Sequence, residues 1–144
     1  MVRPTSFPKT VNISGFVVFV SLLIAGCTFT TTKTKDPVFN DQAKVQQELT
    51  RLVSAENINL DGKEISTNGK SESELEISIT NGTDIPSGGE ERKSLGKSIA
   101  TTVKKNLKDV SEFNIYKVLF VTEVQTGAST KRSWVGNTFI SSEL

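Results

Sequence analysis

"FNIYKVLFVTEVQTGASTKRSWVGNTFI", Phe113–Ile140, is the stretch that decides the fold expectation. Its first part, Phe113–Val124, is β-branched and aromatic throughout and too rich in apolar residues for a half-exposed strand. Ile115, Leu119 and Val121 point one way, and Tyr116, Val118, Phe120 and Val124 point the other. "QTGAST" supplies a turn, and "KRSWVGNTFI", Lys131–Ile140, returns with Trp134, Val135, Phe139 and Ile140. The stretch therefore reads as a hairpin whose first strand is apolar on both faces.

Upstream lies a second hairpin. "ELEISIT", Glu74–Thr80, alternates Leu75, Ile77 and Ile79 with Glu74, Glu76 and Ser78, the pattern of a strand buried on one face. Asn68-Gly69 is the turn before it. The partner strand spans Asn57–Thr67, where Ile58 and Leu60 alternate and Ile65 falls out of phase, so a bulge at Asp61-Gly62 is expected.

Each hairpin follows a helical pattern. Val45, Leu49, Leu52 and Val53 form one stripe, with Asp36-Pro37 or Asn40 as the start signal. Leu95, Ile99, Val103 and Leu107 form another, with Gly96 and Ala100 allowing a close neighbour. Ser87 and Glu90 have capping-box spacing, and Glu90 and Glu91 at the start with Lys104, Lys105 and Lys108 at the end match the helix dipole. "NGTDIPSGG", Asn81–Gly89, is the turn-rich loop between the halves.

The expected fold is α+β: a two-layer sandwich with two helices on one face of a sheet of about four antiparallel strands, in the order α-β-β-α-β-β. Two readings of the doubly apolar strand stay open. It is a central strand sealed by a Tyr116–Trp134 cluster. Alternatively, Tyr116, Val118, Phe120 and Trp134 form a helix-free face that docks a partner or a second copy.

Signals for catalysis are weak. The chain has no histidine and one cysteine, so zinc and copper lack their usual ligands, and no metal or cofactor is expected. Ser94–Lys97 has the spacing of a nucleophile–base pair but is commonplace on helices. Glu72, Glu74 and Glu76 share one solvated strand face rather than form an acid–base pair. Gly88-Gly89 lacks the spacing of a phosphate loop. No catalytic residue is assigned. The alternative is a small hydrolase or ligand-binding protein with a cleft formed by loop 81–89 and the hairpin turns.

The N-terminus says more about location. Arg3 and Lys9 precede an uncharged apolar run from about Ile13 to Ala25. That run is too short to span a bilayer, which takes roughly 20 residues. Leu23-Ile24-Ala25-Gly26-Cys27 resembles the lipobox of bacterial lipoproteins. The resemblance implies cleavage between Gly26 and Cys27, with diacylglycerol on the Cys27 thiol and, in many bacteria, a further acyl chain on the new amino group.

Residues 1–26 are then a removed signal peptide, 27–36 an acylated cysteine with a threonine-rich tether, and 37–144 a single domain. Two or three acyl chains, at about 0.8 kcal/mol per buried methylene, make a lasting anchor. Thr28 in the second mature position implies the outer membrane rather than the inner one in a Gram-negative cell.

Without the leader's two basic residues the chain holds fifteen Lys and Arg against sixteen Asp and Glu. This near-neutral balance gives no footprint for nucleic acid. The expected partners are membrane lipid through Cys27 and an envelope protein or a second copy. The sequence thus reads as a lipid-anchored, non-enzymatic binding or scaffolding module of the cell envelope.

Overall fold

The computed structural model describes residues 28–144; the leader, the Gly26–Cys27 cleavage point and Cys27 lie outside the described residues. The domain is α+β, with a five-stranded sheet and two α-helices. In chain order the elements are β1 (Thr30–Thr34), α1 (Gln42–Leu52), β2 (Asn57–Thr67), β3 (Lys70–Thr80), α2 (Gly89–Asn106), β4 (Ile115–Thr126) and β5 (Ser129–Ile140). The sheet order follows the sequence order, β1-β2-β3-β4-β5.

The sheet differs from the sequence expectation in its strand count and in its direction. The threonine-rich stretch is a strand rather than a free tether: Thr30–Thr34 pairs antiparallel with β2, Thr30 opposite Thr67 and Thr34 opposite Lys63. The sheet is also mixed. Both hairpins are antiparallel, but β3 and β4 run parallel from Glu74–Ile115 to Thr80–Val121. A parallel pair needs a crossover, and α2 supplies it.

The turns follow from local chemistry. Asn68 and Gly69 have φ of 51° and 81°, the two positive values of the tight hairpin turn that suits strand twist. Gly127, φ 59°, opens the two-residue turn between Thr126 and Ser129. The expected bulge at Asp61-Gly62 is absent, because the β2–β3 register runs unbroken through Asp61–Glu76 and Gly62–Leu75. Ile65 is out of phase simply because it faces the other side.

The helix starts are also displaced from expectation. Asp41, not Asp36 or Asn40, caps α1, its carboxylate accepting from the Lys44 amide at 3.0 Å. Gly88 rather than Ser87 precedes α2, without a side-chain cap. Arg92 reaches back to the carbonyls of Pro86 and Ser87.

The core lies between the helices and one sheet face. Val45, Leu49 and Val53 from the α1 segment, and Ile99, Ala100, Val103 and Leu107 from the α2 segment, meet Leu75, Ile77, Ile79, Tyr116, Val118, Phe120 and Phe139. The close neighbour anticipated at Gly96 is the Phe139 ring, 3.4 Å from where a Cβ would stand. Glu48 joins the helices by accepting from the Asn106 amide at 2.8 Å and pairing with Lys105 at 3.2 Å.

Two parts of the sheet project beyond this body. Lys70–Ser73 of β3 extend past the first β4 pairing, so the β2–β3 turn forms the tip of a three-stranded finger with β1. At the opposite end of the strands, β4 beyond Val121 pairs only with β5, forming a two-stranded arm.

A candidate interaction surface on the open sheet face

Register decides which residues share a face. Leu75, Ile77 and Ile79 sit beside Tyr116, Val118 and Phe120, and this row is the one the helices cover. Tyr116 and Val118 are fully buried and Phe120 nearly so. The expectation that these three residues line a helix-free face is therefore corrected. Trp134 pairs with Val121 and stands on the opposite face, so it does not join Tyr116 in a cluster.

The open face divides into two halves. On β2, β3 and β4 it is charged: Lys63 Nζ lies 2.8 Å from Glu74 and 3.9 Å from Glu76, and Lys117 lies 3.2 Å from Glu76. Glu74 and Glu76 thus pair with lysines of neighbouring strands. The hydrogen bond from Lys63 to Glu74 holds that ammonium above its ordinary pKa.

On β4 and β5 the open face carries an apolar patch, bounded by Lys117 and Thr138 on one side and by the Glu123–Arg132 ion pair, 2.9 Å, on the other. Leu119 and Val121 of β4 lie opposite Gly136 and Trp134, and the Ile115–Ile140 pair on the same face is set apart from them by Lys117 and Thr138. Gly136 is required here, since a Cβ would stand 2.5 Å from Leu119 Cδ2 and 2.9 Å from the Val118 carbonyl oxygen. Leu119 lies over that gap and is nearly buried, whereas Trp134 is 66% exposed and Ile140 54% exposed. The result is a low apolar strip with one large aromatic ring raised from it.

Two other arrangements bear on chemistry. Ser94 and Lys97 line an open groove of about 470 Å³ with Glu90, Lys93, Phe139 and Glu143. Among the described residues no hydrogen bond joins Ser94 to Lys97, and the Ser94 carbonyl instead accepts from Ser98 Oγ at 3.1 Å. The loop after β3 acts as a brace. Asn81 donates to Glu56 at 2.6 Å and accepts from the Glu123 amide at 2.8 Å, tying the α1–β2 connection to the arm. The two hairpin turns lie at opposite ends of the sheet, so they cannot border one cleft with this loop. Among the described residues no group of three or more His, Cys, Asp or Glu is gathered to hold a metal ion.

Tyr116 is fully buried, within reach of the Glu112 charge. Its hydroxyl and Glu112 Oε2 are both buried without a hydrogen-bond partner. Burial, with a smaller contribution from the Glu112 charge, pushes the phenol up to about 12. Above pH 10 the unfolded chain releases this proton while the folded domain keeps it, so stability falls as pH rises from 10 to about 12. Tyr116 is the sole tyrosine, so ultraviolet titration of phenolate reads the shift directly. Tyr116→Phe keeps the ring and removes an unsatisfied hydroxyl. Its stability in urea is expected to be unchanged or higher by about 1 kcal/mol, with a shallower alkaline decline. A loss above that size would mean that the hydroxyl has a partner.

The chain matches no protein-family model, no curated protein and no solved structure.

Proposed function

We propose that the protein is a lipid-anchored component of the cell envelope that docks another envelope protein through the open sheet face around Trp134, without catalysis of its own. The observation that carries the docking reading is Trp134, 66% exposed on a helix-free face beside the apolar strip of Leu119 and Val121. An aromatic ring next to a flat apolar surface buries a large area at low entropic cost, and such residues dominate protein interfaces. The adjoining Lys63–Glu74–Glu76–Lys117 array gives a polar border that sets orientation. The anchor reading rests on the lipobox resemblance at Leu23–Cys27, and it assigns the thiol to lipid attachment in the outer membrane.

Crosslinking and affinity capture from membranes test the two parts separately. Trp134→Ala is expected to reduce specific capture at least about tenfold, with cooperative melting retained. Val38→Ala, also at an exposed site, is the control expected to capture normally. Equal capture by Trp134→Ala and the parent protein would overturn the docking reading. Cys27→Ser is expected to abolish acyl labelling, and normal labelling of that variant would overturn the anchor.

A further inference from the structure

The strand at the N-terminus changes what acylation of Cys27 would do. A free threonine-rich tether of nine residues would wander over about 16 Å and leave the domain's orientation open. Instead the chain is paired from Thr30 onward. Phe29 is fixed even before the strand begins: its amide donates to Asn68 Oδ1 at 3.2 Å, and its carbonyl accepts from the Asn68 amide at 3.1 Å. From Cys27 to Thr30 an extended backbone spans at most about 11 Å. The fold begins where the anchor ends.

We infer that the β1–β2–β3 finger rests on the lipid surface with the Phe29 ring in the interfacial layer, so that the domain stands upright and presents its β4–β5 arm away from the membrane. This inference rests on the acylation of Cys27 proposed above. Three observations carry it. Phe29 is 73% exposed, the most exposed large apolar side chain among the described residues, and it sits at the finger tip beside the anchored end. The finger projects about 13 Å past the first β4 pairing, which lets it touch a surface ahead of the helix-covered body. The turn itself, Ser66-Thr67-Asn68-Gly69-Lys70-Ser71, carries one lysine and no acidic residue, and Glu72 stands one position behind it, so the lysine is the charge that meets anionic headgroups first. An aromatic ring with small polar and basic neighbours is the composition of a membrane-interface contact.

The register then fixes heights. Trp134 is level with Val121 and Thr80, ten residue steps from Lys70, which places it roughly 33 Å along the strands from the finger tip. The tip of the arm, five steps beyond Val121, lies roughly 50 Å away. The two exposed aromatics among the described residues therefore have different fates. Phe29 meets lipid, and Trp134 is held clear of it for a protein partner.

The chain's single tryptophan makes this measurable. Acylated parent protein and the double variant Phe29→Trp/Trp134→Phe would be reconstituted into phosphatidylethanolamine–phosphatidylglycerol vesicles carrying brominated acyl chains, with acylation verified by intact mass. Emission from Trp134 in the parent is expected to be unaffected by bromine. The double variant is expected to lose about half its emission and shift to the blue, as an indole in the interfacial layer does. An acylated double variant that remains unquenched overturns the finger contact and leaves the anchor standing. Quenching of Trp134 in the parent overturns the upright orientation. A mass without acyl chains overturns the anchor and this inference with it.

Discussion

Phe113→Ala is expected to destabilise the domain by about 3–5 kcal/mol, the largest loss from any single truncation considered for this chain. Phe113 is fully buried although it precedes β4. Its ring fills the space left by Gly62, where a Cβ would stand 2.8 Å from Cε1 and Cζ. The Lys35 ammonium lies 5.1 Å from the ring centroid, and the same group donates to the Glu112 carbonyl at 2.8 Å. One ring therefore packs between the β1–α1 connection and β2. Its loss leaves a cavity that the strands, held by their backbone bonds, cannot close. Urea unfolding checks the figure, and a loss under about 1 kcal/mol would mean that the corner relaxes freely.

Gly62→Val is expected to be nearly as damaging, at about 3 kcal/mol, the upper end of over-packing costs. The glycine is not there for a turn, because β2 runs through it in continuous register. It is there because the Lys35 carbonyl oxygen and the Phe113 ring occupy the place of its side chain. The Lys35 amide donates to the Gly62 carbonyl at 2.9 Å, so the neighbouring backbone cannot move aside without losing that bond. Hydrogen exchange distinguishes this cause from general weakening. The amides of β1 should exchange faster in the variant than those of β3 and β4, and uniform acceleration would contradict the local clash.

These two residues also show what the sequence disclosed and what it withheld. Both hairpins and both helices were legible, since alternation, turn residues and helical stripes are local. Asn68-Gly69 identified its turn through its backbone requirement alone. Gly62 misled because a glycine in a strand signals either a bulge or a close neighbour, and its neighbours, the Lys35 carbonyl and the Phe113 ring, lie 27 and 51 positions away. The first strand was hidden because all five of its residues are exposed, leaving no apolar pattern to read. Only backbone pairing with β2 makes it a strand. The parallel seam between β3 and β4 was hidden for a related reason, as alternation says nothing about direction.

The face of Trp134 was within reach. Alternation separated Tyr116, Val118 and Phe120 from Ile115, Leu119 and Val121, but it could not say which set the helices cover. A two-residue turn at Gly127-Ala128 places Trp134 opposite Val121, and hence away from Tyr116. Treating Gln125–Thr130 as a longer turn lost that register.

The opposed finger and arm have a mechanical consequence. They lie at the two ends of the strand direction, so a pull between them runs along the strands rather than across them. Backbone bonds in a sheet lie transverse to the strands, and such a load shears them together instead of opening them one at a time. Between β3 and β4 the load falls on seven aligned residue pairs, from Glu74–Ile115 to Thr80–Val121. The sheet is oriented to carry tension between its two ends without unzipping.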